Sequence, residues 1–172
     1  IVLGLIGAAI AISYPLFKRF THLPQLYLGI AFSWGIPMAF AAQTGRVPAL
    51  AWWILCANLL WTVAYDTMYA MADRPDDLKI GLKSTAILFG QYDLLVNAVL
   101  QALALAVLGI IGWGLHLNGW YYLGLVGAAG TAVYQYRLCR GRDRDMCLKA
   151  FINNTWFGAC VFAGLVFSYR LN

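Results

Sequence analysis

Six apolar stretches follow one another along the chain, over residues 1–17, 24–43, 50–71, 94–113, 120–136 and 150–169, each close to the length of a membrane span. A helix needs about 20 mostly apolar residues to cross a bilayer, and only helices and closed barrels satisfy every backbone polar group there. The expected fold is therefore all-α, a polytopic transmembrane helical bundle of six spans, with an amphipathic lead-in from Ser84 to the fourth. Composition agrees: 62% of the 172 residues are hydrophobic and 11% charged, against roughly 45–50% and about 25% in soluble domains. A soluble nucleic-acid binder is excluded by the same distribution, because the 12 basic residues are scattered between apolar stretches and make no continuous basic face.

The breaks between stretches carry turn and charge signals, and the sign of that charge orients the set. Lys18, Arg19, Arg74, Lys79, Lys83, Arg137, Arg140, Arg142, Arg144 and Lys149 fall in the first, third and fifth connections, leaving only Arg46 and Arg170 for the other side. Lys and Arg gather in cytoplasmic loops, so those three connections are expected on the cytoplasmic face, with both ends of the chain outside. Pro37 is expected to kink the second span without ending it. Ile1 stands inside an apolar run with no initiator Met or signal-peptide pattern, and the chain is expected to be part of a longer protein.

Small residues at Gly124, Gly127 and Gly130, and at Gly158 and Gly164, read as close helix contacts. Cys56, Cys139, Cys147 and Cys160 show no metal-ligand spacing and read as buried or loop residues. His22 and His116 are isolated and read as interfacial.

Chemistry concentrates at the cytoplasmic end of the third span. Residues 64–79 hold four of the chain's seven acids, Asp66, Asp73, Asp76 and Asp77. Asp66 lies within an apolar helix, where an acid near the bilayer centre costs about 2.5–3.5 kcal/mol. On a helix advancing about 100° per residue, Asp66, Asp73 and Asp77 share a face within about 40°. Carboxylates gathered there call for a cation, and oxygen-only ligands suit Mg²⁺, which keeps part of its shell for substrate phosphates. Pro75 is expected to break the helix between Asp73 and Asp77 and make the shared face approximate. A solvated loop balanced by Arg74 and Lys79 is the alternative reading of Asp73, Asp76 and Asp77. A second feature is Tyr14 with Lys18 and Arg19 at the cytoplasmic end of the first span: either an ordinary topology signal or an anion site facing the acids.

These residues resemble the UbiA superfamily of intramembrane prenyltransferases, and within it the subgroup that acts on 4-hydroxybenzoate in ubiquinone biosynthesis. The run Tyr65-Asp66-Thr67 through Tyr69-Ala70, Asp73-Arg74, Asp76-Asp77 and Lys79 to Ala86 is similar to the subgroup's second aspartate-rich motif. Tyr14 to Arg19, followed by Thr21 to Gln25, resembles the end of its fourth helix, with Tyr14 and Lys18 filling a YxxxK pattern. Likeness also runs through Trp34 to Ala41 and Phe151 to Asn154. The resemblance implies that the six spans correspond to helices four to nine of a nine-helix bundle, one transmembrane prenyltransferase domain over residues 1–172 without its first helices. The family's other motif, NDxxDxxxD, does not occur in this sequence, so the chain alone is expected to carry half a Mg²⁺ site and to be inactive.

The implied activity is transfer of a polyprenyl group from its diphosphate to the ring of 4-hydroxybenzoate, in a bacterial inner membrane with the site on the cytoplasmic side. The implied catalytic and metal residues are Asp66, Asp73 and Asp77, with Mg²⁺ as cofactor; the implied diphosphate-binding residues are Tyr14, Lys18, Arg19 and Lys83. Trp34, Trp61 and Tyr69 are available to shelter an allylic cation, with packing or interfacial anchoring as the alternative reading. Another aromatic acceptor, a transporter and a non-catalytic membrane subunit are the alternatives. A transporter predicts further ionisable residues in mid-membrane, and the other spans have none.

Overall fold

The computed structural model describes residues 1–171, the Lys18 side chain excepted. It is all-helical among those residues: α1 (Val2–Phe20), α2 (Pro24–Ser33), α3 (Gly35–Thr44), α4 (Ala49–Lys79), α5 (Thr85–Phe89), α6 (Asp93–Gly114), α7 (Gly119–Cys139) and α8 (Arg144–Arg170), with a 3₁₀ turn (Gly90–Tyr92) before α6. Among the described residues, four segments are long and apolar enough to cross a membrane, Pro24–Thr44, Ala49–Lys79, Thr85–Gly114 and Arg144–Arg170; the apolar part of α1, Val2–Phe17, is shorter. The second span is one unit of two helices. The chain passes from α2 to α3 through Trp34 in a right-handed helical conformation, and Pro37, in the first turn of α3, does not end the segment. The lead-in from Ser84 forms α5, capped by the Ser84 hydroxyl accepting from the Ile87 N–H.

Pro75 does not break its helix, contrary to the expectation from sequence. α4 runs unbroken for 31 residues to Lys79 with Pro75 inside it. The ring removes one backbone hydrogen bond, while the Arg74 guanidinium beside it is held by the Asp93 carboxylate and by the Ala86 carbonyl. The stop comes at Gly81, whose φ of 71° lets the Leu82 N–H reach back to the Asp77 carbonyl at 2.9 Å, a Schellman ending that Gly accepts without steric cost.

α4 is the central element, packing on α2, α3, α5, α6 and α8, while α7 lies chiefly along α8. The α7–α8 seam depends on glycine: a Cβ at Gly124 would lie 2.6 Å from the Cys160 carbonyl oxygen and 2.8 Å from the Gly164 Cα. Buried amides cross-link the helices. Gln101 donates to Gln135 at 2.8 Å, Gln135 to Asn153 at 3.2 Å, Asn97 to the Ala64 carbonyl at 2.6 Å, and Trp61 to Asn154 at 2.8 Å. Each satisfied pair avoids the roughly 1–3 kcal/mol cost of a buried group without a partner. Cys139 and Cys147 are buried in the apolar cluster formed with Met68, Met71, Ala86 and Ala150, and all four cysteines are free thiols. His22 and His116 lie exposed in the connections after α1 and α6.

Contacts gather the charged connections at one end of the bundle. Lys83, between α4 and α5, reaches the Phe20 carbonyl at the end of α1; Arg142, in the α7–α8 connection, and Arg144, at the start of α8, reach Asp93 and Asp76. The opposite end is closed by Asn118, which bonds Ser168 through both its backbone N–H and its side chain.

Candidate active site

Helix α4 delivers the carboxylates. Because it stays helical through Pro75, Asp66, Asp73 and Asp77 keep one face, and all three line a small cavity of about 70 Å³ with Tyr14, Gln25, Tyr69, Ala70, Lys83 and Ser84. Tyr14 comes from α1 and lies within the electrostatic reach of Asp66. The Tyr69 hydroxyl donates to Asp73. Lys83 adds one cation from the α4–α5 connection, held near the end of α1 by its 3.4 Å bond to the Phe20 carbonyl. Among the described residues, no three His, Cys, Asp or Glu side chains are arranged to hold a metal ion by themselves.

Five of the seven residues expected at the site thus meet in one cavity: Asp66, Asp73, Asp77, Tyr14 and Lys83. Arg19 is exposed and does not line it, and the Lys18 side chain lies outside the described residues. Arg74 and Asp76 do not belong to the cavity either. Asp76 pairs with Lys79 at 3.1 Å and with Arg144 at 2.8 Å on the outer surface, and Arg74 turns to Asp93. Trp34 is committed elsewhere, donating to the Leu3 carbonyl at 2.9 Å and lying edge-on to Trp52.

Three groups that the sequence did not single out as site residues shape this region. Gln25, buried at the start of α2, accepts from the Thr85 N–H at 3.0 Å; the Thr85 hydroxyl meets that of Thr67 at 2.8 Å, and Thr67 donates back to the Val63 carbonyl. This buried chain fixes α2, α4 and α5 around the cavity. Ser84, 1% exposed, caps α5 at the cavity edge. Asp93, wholly buried at the head of α6, accepts from Arg74, from Arg142 at 2.8 Å and from the Leu94 N–H at 2.6 Å. Hydrogen bonding to that carboxylate raises the pKa of the Arg142 guanidinium above its ordinary value. Sequence signals this only weakly, as an acid at the start of an apolar helix.

Below the cavity an aromatic wall descends along α4 and α8. Tyr69 on the rim lies 5.2 Å from Phe151, Phe151 lies 5.9 Å from Tyr65, Tyr65 is edge-on to Trp61 at 5.4 Å, and Trp61 stacks on Phe157 at 5.2 Å. Trp61, Tyr65 and Phe151 also line an open groove of about 390 Å³ with Asn154 and Thr155.

Residues 1–167 match the model of the UbiA prenyltransferase family. The chain is 57% identical over 169 residues to the 4-hydroxybenzoate octaprenyltransferase of Methylococcus capsulatus and 55% identical over 168 residues to that of Coxiella burnetii, in each case over 98% of this chain and 58% of the relative. To the 4-hydroxybenzoate octaprenyltransferase of Aeromonas salmonicida it is 54% identical, over 99% of this chain and 59% of the relative. The chain therefore spans a little under three-fifths of the length of these relatives. The apo structure of a UbiA homolog from Aeropyrum pernix superposes with a TM-score of 0.72 at 24% identity, over 95% of this chain and 63% of that one.

Proposed function

The chain belongs to the UbiA prenyltransferase family, and from that premise we propose that its carboxylate cavity takes the headgroup of a polyprenyl diphosphate, and that the whole protein transfers the polyprenyl group to 4-hydroxybenzoate. The observation that carries the proposal is the convergence of Asp66, Asp73, Asp77, Lys83 and Tyr14 on one cavity at the charged end of a membrane bundle. At about 70 Å³ the cavity is far smaller than the roughly 300–1,000 Å³ of sites that enclose whole drug-sized ligands. That size suits an ionic headgroup whose apolar tail lies elsewhere. The aromatic groove beginning at Tyr69 and Phe151 offers the tail a path towards the bilayer interior.

The donor set fits Mg²⁺. Every ligand candidate is an oxygen, and Mg²⁺ is usually held through one or two carboxylates plus substrate phosphates, so the lack of a self-sufficient three-ligand group is no obstacle. Asp73 and Asp77 would hold it, with Asp66 beside them. Bound there, the ion supplies charge neutralisation to the departing diphosphate.

The chain's own residues account for the remaining steps. Lys83 places a positive charge against the leaving diphosphate, where stabilisation of developing charge lowers the barrier most. Tyr69, anchored to Asp73, and Tyr65 and Trp61 below it present aromatic surface to the allylic carbon. Such faces attract a developing cation and exclude the water that would quench it. The acceptor's ring carbon ortho to its hydroxyl then forms the new C–C bond as the allylic C–O bond breaks, and the ring loses a proton to regain aromaticity. The relatives' names carry the choice of 4-hydroxybenzoate as acceptor and of an octaprenyl-length group as donor.

The test is an assay of membranes bearing the full-length protein with 4-hydroxybenzoate, octaprenyl diphosphate and Mg²⁺. Asp66→Ala, Asp73→Ala and Asp77→Ala are each expected to cost at least about 100-fold in turnover, and chelation of the divalent ion is expected to abolish it. Wild-type turnover in the three variants would overturn the site, and turnover that survives chelation would overturn the metal.

A further inference from the structure

Three features of the cytoplasmic end belong together. First, α4 carries Asp73 and Asp77 on either side of Pro75, where one backbone hydrogen bond is missing, so the last turn and a half is the part of the helix most prone to open. Second, Arg74, between Asp73 and Pro75, is drawn away from the cavity and gripped by the Asp93 carboxylate and the Ala86 carbonyl. Third, the same carboxylate holds Arg142, which has a left-handed φ of 53° and also donates to the Gln91 carbonyl at 2.9 Å. Two residues on, Arg144 pairs with Asp76 at 2.8 Å. A single buried acid, 0% exposed, therefore fastens the weakened end of α4 to the head of α6 and to the α7–α8 connection.

We infer that Asp93 is a positioning residue for the carboxylate cavity: by holding Arg74 from behind, it keeps Asp73 and Asp77 on one helical face across Pro75. The inference rests on the reading of that cavity as the headgroup site. Asp93 does not line the cavity, so its effect on the cavity passes through the geometry of α4. An acid whose sole role is to stabilise the bundle has no particular connection with Pro75. An acid that offsets the proline defect does, and replacing Pro75 by a residue with a backbone N–H should make it dispensable.

The experiment uses full-length protein in lipid nanodiscs, with backbone amide exchange as the first readout and the Mg²⁺ and octaprenyl diphosphate concentrations needed for half-maximal turnover as the second. Asp93→Asn keeps the shape and the acceptor for the Leu94 N–H while removing the charge. It is expected to speed exchange of residues 76–82 by at least about 10-fold with α8 unchanged, and to raise the Mg²⁺ requirement about 10- to 100-fold, with a smaller change in maximal turnover. Adding Pro75→Ala to Asp93→Asn should restore both. Unchanged exchange in Asp93→Asn overturns the inference, as does loosening of α8 to the same degree with no rescue by Pro75→Ala. Should Asp93→Asn fail to fold, Arg74→Gln, which leaves Asp93 paired with Arg142, carries the same expectations and the same overturning results. Local loosening and rescue in a protein that shows no response to Mg²⁺ or donor would support the clamp and overturn the headgroup reading of the cavity.

Discussion

Thr67 and Thr85, separated by 18 positions in the sequence, share a hydrogen bond of 2.8 Å and are both fully buried. Thr67→Val leaves the Thr85 hydroxyl without this partner, at an expected cost of about 1–3 kcal/mol. The double replacement by Val removes donor and acceptor together and should recover most of that loss. Thermal unfolding of the full-length protein in detergent for both single variants and the double closes the cycle, and additive losses would show that the two hydroxyls do not depend on each other. The pair also marks what a single sequence conceals. Asp66 was legible because an acid inside an apolar stretch is conspicuous by its cost. Thr67, Thr85 and Gln25 are unremarkable in sequence, and their importance lies in partners 18 and 60 positions away. Asp93 stands in the sequence only as an acid beside the start of an apolar stretch, although its carboxylate accepts from Arg74, Arg142 and the Leu94 N–H.

Helices were legible from hydropathy, because each apolar stretch must satisfy its backbone internally. Their ends were less so. Pro75 is a local stop signal, and it was overruled by a tertiary contact made by its neighbour Arg74, while the true stop at Gly81 takes its force from the left-handed conformation there. The glycine spacing of α7 predicts a packing face, and the structure separates its members. Gly124 sits against Gly164 and the Cys160 carbonyl, a Cβ at Gly127 would lie 3.2 Å from the Cys160 sulfur, and nothing lies within 4 Å of a Cβ at Gly130. Gly124→Ala should therefore force α7 and α8 apart and lower stability by about 1–3 kcal/mol, whereas Gly130→Ala should be neutral or slightly stabilising, since Ala is the better helix former. The thermal midpoints of the two variants decide it, and equal midpoints would contradict the close approach of the seam.

At the scale of the whole molecule, charge asymmetry and cavity location coincide. The loops rich in Lys and Arg lie at the end of the bundle that holds the carboxylate cavity, and Lys83 from one of them lines it. The relatives extend well beyond the matched region, and the NDxxDxxxD pattern is not in this chain. Orientation is testable without any reference to activity. In a cysteine-free background of the full-length protein, single cysteines replacing Lys79 or Arg140 should react with a membrane-impermeant maleimide only after bacterial cells are permeabilised. Cysteines replacing Arg46 or Arg170 should react in intact spheroplasts. The reverse pattern would place the carboxylate cavity on the outer face, away from the cytoplasmic compartment, and would contradict the positive-inside reading of the loops.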